Sequence, residues 1–275
     1  MRTDPVPGAL VLITGAARGM GELYARRAVA GGARALALWD IDGVALDALV
    51  GELSASDVEV RGYVVDISQR SAIADAAARV RDELGTPDIL VNNAGIVHGG
   101  PFWDHDDERD TERTMRVNTL APMWITSAFL TEMMTDAGRE RRILNIASAA
   151  GTLANPNMSV YAASKWALIG WSESLRLELA SAGHRHLAVT TFCPSYISTG
   201  MFAGARGPLL TPIMTPRAAT AAAWNGMRRG TPMVLRPWTV KLAMALRGVL
   251  PTRAWDLVAD RVFRVYSSMD EFTGR

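Results

Sequence analysis

The sequence predicts an α/β protein in which one doubly wound parallel sheet carries helices on both faces. Apolar runs of strand length alternate with segments of helical periodicity along the chain, and this alternation is typical of repeated βα units. The chain has 275 residues, of which 49% are hydrophobic, and it contains 24 glycines. It is therefore large enough to bury one sizeable core, and we predict a single domain over 1–275.

Six apolar runs of strand length lie before residue 195. They are residues 9–14 (ALVLIT), 35–40 (ALALWD), 60–66 (VRGYVVD), 88–93 (DILVNN), 142–148 (RILNIAS) and 187–194 (LAVTTFCP). Each run is predicted to be a strand. Because parallel strands require a crossover between them, we expect helices in the intervening segments.

Three helices are predicted between these strands. One carries an apolar stripe at intervals of three and four residues and ends at Gly85, where glycine allows a left-handed cap. Its stripe consists of Ile73, Ala77, Val80 and Leu84. A second helix is expected over 115–134, and a third over 159–182, closed by Gly183.

The region after the sixth strand is rich in glycine, proline and hydroxyl residues and is long for a connection inside one domain. We predict a substrate loop over 194–230 and a C-terminal segment over 231–275. Arg206 is the one charge in the first part of the loop, whose apolar residues are Tyr196, Met201, Phe202, Leu209, Leu210, Ile213 and Met214. Trp103 and Trp238 are further candidates for this apolar wall. Such a wall suits a bulky apolar substrate. Alternatively, these residues pack in a subunit interface.

Composition excludes several classes of function. Twenty-nine basic residues against 28 acidic ones give a formal charge of +1, so we expect no nucleic-acid partner. Cys193 is the single cysteine and the histidines lack zinc-motif spacing, so we expect no metal and a cytoplasmic protein. Residues 1–10 lack the pattern of a signal peptide, and the uncharged stretch 143–164 indicates strand and loop.

A basic amphipathic helix is predicted within 236–266. Its apolar face would consist of Trp238, Leu242, Ala245 and Val249, with Lys241 and Arg247 elsewhere. Such a helix can lie on a membrane surface, but more often it packs over a cleft or a subunit interface. Peripheral membrane contact is therefore an alternative that we do not favour.

The stretch TGAARGMG, residues 14–21, follows the first strand and opens a helix, which is the context of a glycine-rich phosphate loop. Gly15 permits the tight turn. Gly19 and Gly21 would let the helix N-terminus approach a pyrophosphate with its free N–H groups and positive dipole end. A plain glycine turn is the alternative.

Cofactor choice depends on two residues of opposite charge. Asp40 ends the second strand, where an acidic residue accepts hydrogen bonds from an adenosine ribose. Its carboxylate would repel a 2′-phosphate, whereas Arg18, beside the glycine loop, could pair with one. We give Asp40 the greater weight and predict NAD rather than NADP.

Tyr161 and Lys165 lie four residues apart, so a helix places the phenol and the ammonium on one face. Packing alone can explain such a pair. The larger set is more specific, because TGAARGMG, VNNAGIV, Asn118, Ser148 and YAASK occur in the order of classical short-chain dehydrogenases/reductases, which the chain resembles over nearly its whole length. LALWDID, NNAGIVHGGPF and YAASKWALIGWSESLRLEL look like the branch that contains retinol and 17β-hydroxysteroid dehydrogenases.

The resemblance implies a single-domain Rossmann fold and hydride transfer between an alcohol and a nicotinamide cofactor. Tyr161 would be the general acid/base and Lys165 its electrostatic partner. Ser148 would hold the substrate oxygen, and Asn118 would support a water-linked proton relay. An ammonium about 4 Å from the phenol would lower its pKa by about three units, which brings a phenolate near neutral pH.

The resemblance also implies a set of cofactor contacts. They run from the adenine, at Asp66 and Ile67, to the nicotinamide carboxamide, at Ile197 and Thr199. The full set is Gly15, Arg18, Gly19, Met20, Gly21, Asp40, Ile41, Asp66, Ile67, Asn93, Gly95, Tyr161, Lys165, Pro194, Ile197 and Thr199. Pro194 is followed by Ser195 where the family often has glycine, so the local loop geometry is expected to differ.

Two other functions remain open. An acyl-thioester or sugar ketone reductase can use the same fold, because fold and catalytic set do not fix the substrate. A catalytically idle NAD-binding sensor or scaffold would be expected to lack Tyr161, Lys165 or Ser148, and all three are present. Because short-chain dehydrogenases are commonly dimers or tetramers, we expect a homodimer or a homotetramer.

Overall fold

A computed structural model describes residues 4–209, 211–269 and 271–273. Its centre is a seven-stranded sheet of order β3-β2-β1-β4-β5-β6-β7, in which every neighbouring pair is parallel. The strands are β1 (Leu10–Thr14), β2 (Ala35–Asp40), β3 (Glu59–Val64), β4 (Ile89–Asn92), β5 (Arg141–Ile146), β6 (Leu187–Pro194) and β7 (Met233–Arg236). The strand order reverses between β1 and β4, which confirms the predicted doubly wound Rossmann fold.

Helices cover both faces of the sheet. They are α1 (Gly19–Ala30), α2 (Gly43–Leu53), α3 (Arg70–Glu83), α4 (Arg113–Met115), α5 (Ala121–Thr135), α6 (Ser159–Ser181), α7 (Pro216–Arg229), α8 (Trp238–Val249) and α9 (Thr252–Leu257). Helices α1, α2 and α7 pack on one face, and α3, α5 and α6 pack on the other. Short π-helical turns, Asp107–Glu112 and Arg116–Leu120, flank α4 and lead into α5.

Strand β1 shows why these runs are apolar without interruption. Val11 and Ile13 point into the core beneath α1 and α7, whereas Leu10 and Leu12 point into the core beneath α3 and α5. All four side chains are fully buried. Burying one such side chain contributes about 1.5–3 kcal/mol, so both faces of the strand stabilise the sheet.

The predicted strands and helices are confirmed, with ends that differ by a few residues. Gly85 and Gly183 follow α3 and α6 with φ angles of 94° and 85°, as expected for left-handed positions after a helix. Strand β7 was not predicted from the sequence. It has four residues and is bounded by Pro232 and Pro237, so it offers no apolar run of useful length.

Helix α8 presents a different face from the one predicted. Trp238 is 60% exposed and Leu242 and Val249 are also exposed, whereas Val240 is buried and Ala243 packs inwards. The helix therefore packs with the opposite face, and the predicted apolar face points to solvent. Across the ranges given above, no helix is both long and apolar enough to span a membrane.

Candidate active site

Two hollows lie at the edge of the sheet where the parallel strands end. The larger, which we call the cleft, has a volume of about 700 Å³. The smaller, which we call the apolar cavity, has a volume of about 70 Å³. Ser148, Ser195 and Phe202 line both hollows and form their common wall. Ligands of doubly wound sheets bind at this edge, near the point where the strand order reverses.

The glycine loop forms one end of the cleft. Gly15 and Gly19 both have φ near 62°, a left-handed conformation that glycine adopts without strain. A Cβ atom on Gly19 would meet no other atom within 4 Å, so this position is open on the side of the cleft. Arg18 and Met20 line the cleft beside it.

Gly21 has a different role from the one expected from the sequence. It does not line the cleft, and a Cβ atom at this position would overlap the carbonyl oxygen of Gly15. Gly21 is therefore required for the close packing of α1 against the glycine loop. Gly15 and Gly19, in contrast, both line the cleft.

Side chains at the ends of β1 and β4 hold the glycine loop in place. Asn93 Nδ2 donates to the carbonyl oxygens of Thr14 and Gly15, at 2.9 and 3.2 Å. Thr14 Oγ1 accepts from the backbone N–H groups of Asn93 and Ala94, at 3.0 and 3.1 Å. Asn93 thus positions the loop as well as lining the cleft.

Asp40 lies beside the glycine loop, with both carboxylate oxygens hydrogen bonded. Its Oδ2 accepts from Ala17 N at 2.9 Å and its Oδ1 from Asp42 N at 3.0 Å. Arg18 forms an exposed ion pair with Asp42. Asp40, Ile41 and Arg18 all line the cleft, so the two charges that favour different cofactors lie at the same end.

The remaining predicted cofactor residues line the same cleft at the ends of successive strands. They are Asp66 and Ile67 after β3, Asn93 and Gly95 after β4, and Pro194, Ile197 and Thr199 at and after β6. Asp66 Oδ1 also accepts from Ser68 N at 3.0 Å, a local turn contact. Ser195 N donates to Arg236 O at 2.8 Å, which ties the loop after β6 to the end of β7.

Ser148, Tyr161 and Lys165 are brought together by β5 and the first turns of α6, and all three are buried and line the cleft. Ser148 Oγ accepts from Ala150 N at 3.1 Å, and its hydroxyl lies near enough to the phenol of Tyr161 to lower the pKa of that phenol. Lys165 Nζ donates to Ile146 O at 2.9 Å and lies 5.7 Å from the centre of the Tyr161 ring. The serine therefore lies near the phenol, and the ammonium lies against the ring of the same side chain.

The pKa of Tyr161 differs from the expected value. Burial raises it to about 12, and the hydrogen bond from Ser148 opposes only part of this increase. Burial also lowers the pKa of Lys165 to about 8. Desolvation of the phenol is therefore the largest effect on its pKa, and this state differs from the phenolate near neutral pH that was expected from the sequence.

Asn118 lies behind the cleft rather than in its wall. Its Oδ1 accepts from Ile96 N at 2.9 Å, and its Nδ2 donates to Ile96 O at 2.9 Å and to Ser164 Oγ at 3.0 Å. A Cβ atom on Gly95 would lie 3.3 Å from Asn118 Oδ1 and 3.5 Å from Lys165 Nζ. The side chain of Asn118 therefore fixes the backbone next to Lys165, and its support of a water-linked proton relay stays a prediction.

The loop after β6, α8 and the C-terminal segment enclose the apolar cavity. Its walls include Leu153, Tyr196, Phe202, Val240, Ala243, Phe263 and Val265. Tyr196 and Phe202 were predicted from the sequence to form the wall, whereas Met201 lines the cleft. Phe263 and Val265 were not predicted from the sequence as wall residues, because only the tertiary fold brings the C-terminal segment to the apolar cavity.

Several residues predicted to form the apolar wall lie elsewhere. Trp103 is 84% exposed, and Trp238, Leu209 and Ile213 also face solvent. Met214 packs against the core beneath α1 and α7. Leu210 lies outside the described residues. Within the ranges covered, no group of three or more histidine, cysteine, aspartate or glutamate side chains could hold a metal ion.

Comparison with known proteins gives the same assignment as the geometry. Residues 9–208 match the short chain dehydrogenase family. Estradiol 17-beta-dehydrogenase 11 of Rattus norvegicus is 34% identical over 257 residues, which cover 94% of this chain and 85% of that protein. Epidermal retinol dehydrogenase 2 of Mus musculus is 34% identical over 275 residues, which cover 98% of this chain and 87% of that protein.

A solved structure supports the fold independently. A short chain dehydrogenase/reductase from Burkholderia phymatum aligns with a TM-score of 0.80 and 24% identity, covering 90% of this chain and 95% of that one. The relatives also confirm the resemblance to the retinol and 17β-hydroxysteroid dehydrogenase branch. The chain belongs to the short-chain dehydrogenase family, and it is an NAD(P)-dependent oxidoreductase that acts on CH–OH groups.

Proposed function

We propose that this protein interconverts a bulky apolar alcohol and its ketone or aldehyde, with NAD as the preferred cofactor. The observation that carries the proposal is the position of Ser148 in the common wall of the cleft and the apolar cavity. Ser148 and the nearby phenol of Tyr161 place a proton donor and acceptor next to a cavity without charged lining residues. Relatives named for estradiol and retinol, two bulky apolar alcohols, support the same substrate class.

The residues of the cleft fit a dinucleotide. The open position at Gly19 lies at the start of α1, where free N–H groups and the positive helix end favour phosphate oxygens. Asp40 at this end could accept hydrogen bonds from a ribose, and Ile197 and Thr199 lie at the other end of the set. Bound NAD supplies the hydride acceptor at its nicotinamide ring.

Tyr161 moves the proton in this scheme. With a pKa of about 12, the phenol is protonated at neutral pH, which is the form that donates a proton to a carbonyl oxygen during reduction. In the oxidising direction, the deprotonated phenol accepts the proton of the substrate hydroxyl. Ser148 orients the substrate oxygen, and the buried charge of Lys165 lowers the energy of the phenolate.

The preference for NAD is proposed from Asp40. A carboxylate beside a 2′-phosphate is repelled, and the phosphate would also displace the ribose hydrogen bonds. Arg18 is the residue that could reverse this preference, but its guanidinium is paired with Asp42. If Asp40 determines the cofactor preference, NADH binds more tightly than NADPH, and Asp40→Ser reduces the difference between the two affinities. Tighter binding of NADPH by the wild-type protein would show that Arg18 determines the cofactor preference.

Location and assembly are also proposals. We propose a cytoplasmic protein, supported by a single cysteine that is buried and forms no disulfide. We propose a homodimer or homotetramer, supported by partly exposed apolar side chains at Leu120, Trp166 and Leu177, beside and on α5 and α6. Light scattering after size exclusion would measure the oligomeric state, and a monomer at micromolar concentration would contradict the second proposal.

One assay tests the activity as a whole. The purified protein is mixed with NAD and with retinol, estradiol or 2-dodecanol, and NADH formation is followed by absorbance. Glycerol and xylitol are the small hydrophilic controls. We expect turnover with the three apolar alcohols and little with the controls. Turnover of the polyols alone would contradict the proposed substrate class, and no turnover with any alcohol would contradict the proposed reaction.

A further inference from the structure

The ring of Phe202 lies between the two hollows. It makes edge contacts with the ring of Tyr161 on one side and with that of Tyr196 on the other, at centroid distances of 5.8 and 5.3 Å. Tyr161 lines the cleft but not the apolar cavity, whereas Tyr196 lines the cavity but not the cleft. Phe202 is therefore the large side chain that separates the reacting phenol from the apolar cavity.

The apolar cavity is too small to hold a bulky alcohol while this ring is in place. Its volume is about 70 Å³. A cavity of about 150 Å³ holds one benzene molecule, so the apolar cavity has less than half of the space that a single ring needs. The cleft is open to Tyr161, but the cofactor must occupy most of its length. A bulky substrate therefore requires the two hollows to join.

Phe202 is the ring that can move at the lowest cost. Tyr196 Oη accepts from Asn155 Nδ2 at 3.1 Å and lies 2.8 Å from Ser268 Oγ, so moving Tyr196 would break two hydrogen bonds. Tyr161 is buried and begins α6. Phe202 has no polar atom in its side chain and is partly exposed, so its ring is held by packing alone and has solvent on one side.

The backbone around Phe202 is packed at one end and open at the other. Gly200 and Gly204 enclose the segment, with φ angles of 88° and 81°. A Cβ atom on Gly204 would overlap the carbonyl oxygen of Glu271, whereas one on Gly200 would meet no other atom within 4 Å. Glycine adopts many backbone angles without strain, so the segment can turn at Gly200 while Gly204 stays in place.

We propose that Phe202 determines substrate size as a gate: its ring leaves the common wall when a bulky apolar alcohol binds, which joins the apolar cavity to the cleft beside Tyr161. Burial of the substrate offsets the exposure of the ring, and a small alcohol has too little apolar surface to do so. A small alcohol reaches Tyr161 through the cleft with the ring in place. The inference rests on the proposed function and assigns the selection of substrate size to one residue.

Substitution of Phe202 tests the selection of size. We compare kcat/KM with NAD for 2-decalol, a rigid bicyclic secondary alcohol, and for 2-butanol. In Phe202→Ala no ring has to be displaced, so the ratio of 2-decalol to 2-butanol efficiency should rise about tenfold. In Phe202→Trp the larger ring blocks the common wall, and the ratio should fall about tenfold. An equal ratio in the wild-type protein and both variants would overturn the inference while the proposed function stands.

Phe102→Ala is the matched control. Phe102 is 57% exposed and lines neither hollow, so the same substitution there should leave the ratio at the wild-type value. NADH binding verifies that each variant is folded. If Phe102→Ala raised the ratio as much as Phe202→Ala, the selection of size would not depend on the common wall, and the inference would be overturned.

A binding measurement separates this inference from the proposed function. If neither alcohol is oxidised, the proposed function is overturned, and calorimetric titration of the NADH-saturated proteins with 2-decalol still tests the gate. We expect 2-decalol to bind more tightly to Phe202→Ala than to the wild-type protein, and more weakly to Phe202→Trp. Equal affinities, or no binding to any of the three proteins, would overturn the inference.

Crystal structures test the movement of the ring directly. The NADH complex of the wild-type protein is compared with and without 2-decalol. We expect the Phe202 ring to lie between Tyr161 and Tyr196 without the alcohol and to lie away from both tyrosine rings when 2-decalol is bound. Bound 2-decalol with the Phe202 ring still between the two tyrosines would overturn the inference.

Discussion

The cleft and the apolar cavity share a wall but are assembled in different ways. Cleft residues follow directly after strand ends, as Gly15 follows β1 and Gly95 follows β4, so the sheet itself positions them. Cavity residues come from the loop after β6, from α8 and from the C-terminal segment. Residues of the predicted catalytic set therefore lie close to strand ends in the sequence, whereas the proposed substrate wall is formed by distant segments that meet only in the fold.

The contacts that close the cavity show how far its construction depends on the C-terminal segment. Thr273 N donates to Ala203 O at 2.9 Å, and a Cβ atom on Gly204 would overlap the carbonyl oxygen of Glu271. A Cβ atom on Gly99 would overlap the ring of Phe272. The segment is therefore packed closely against two loops that carry site residues.

The largest expected effect is a loss of turnover in Tyr161→Phe without a comparable loss of NADH binding in the cleft. Tyr161→Phe removes the proton donor but retains the ring contact with Phe202, so kcat should fall by about a thousandfold while NADH affinity changes less than threefold. Stopped-flow turnover and fluorescence titration measure the two quantities. Tyr24→Phe is the matched control, because this buried hydroxyl lies in the core and has no hydrogen-bond partner among the described residues. Near-normal turnover in Tyr161→Phe would refute its assignment.

A second substitution tests the cleft alone. In Gly21→Ala, the added methyl group overlaps Gly15 O, so the loop must shift and NADH should bind about 50-fold more weakly, the equivalent of ~2 kcal/mol. Gly51→Ala is the control, since this helical glycine has no neighbour within 4 Å of the added methyl group. We expect unchanged NADH affinity and a slightly higher Tm in the control. Equal NADH affinities in the two variants would contradict the packing role of Gly21.

The corresponding test of the cavity is Gly204→Ala. Gly204 has φ of 81°, and the methyl group would displace the backbone at Glu271, so the C-terminal segment should move away from the loop. We expect KM for 2-dodecanol to rise about tenfold, because part of the apolar wall is lost, with little change in NADH affinity. Steady-state kinetics and titration provide both values. A variant that loses NADH affinity instead would show that the two regions are not separable.

The smallest expected effect concerns Lys165 and pH. Because burial lowers its pKa from 10.5 to about 8, the folded state binds this proton more weakly than the unfolded state. Below pH 8 the buried ammonium therefore destabilises the fold, and this cost decreases as the pH rises from about 8 to 10.5. At pH 7, Lys165→Met should raise Tm by about 5 °C, the equivalent of ~2–3 kcal/mol after the loss of the Ile146 hydrogen bond.

The difference in Tm between the wild-type protein and Lys165→Met isolates the effect of this lysine. Every other titrating group, Tyr161 included, is common to both chains, so the Tm difference should shrink between pH 8 and 10. Differential scanning calorimetry at closely spaced pH values measures it. A Tm difference that stays constant or grows with pH would contradict the lowered pKa of Lys165.

The different construction of the cleft and the apolar cavity also explains which features could be predicted from the sequence. The strands before residue 195, the glycine loop and the Tyr161–Lys165 spacing were readable, because each depends on residues close together in the chain. Strand β7 was missed because Pro232 and Pro237 bound a run of only four strand residues. The packing role of Gly21 could not be predicted, since its contact with Gly15 O is visible only in three dimensions.

Two further features could not be predicted for a similar reason. The pKa of Tyr161 depends mainly on its burial in the fold, which a spacing of four residues does not contain. Asn155 Nδ2 donates to Ser268 Oγ across 113 positions of the chain. No local pattern marks either residue.

The most direct test of the central claim is the dependence of kcat/KM on alcohol size. With saturating NAD, 2-alkanols from 2-propanol to 2-dodecanol differ only in the number of methylene groups, which the apolar cavity and the adjoining part of the cleft can bury. Each buried methylene contributes about 0.8 kcal/mol, so kcat/KM should rise about fourfold per carbon until the cavity is full. A series that is flat or falls with size, with polyols or sugars as better substrates, would contradict the account of a dehydrogenase for bulky apolar alcohols.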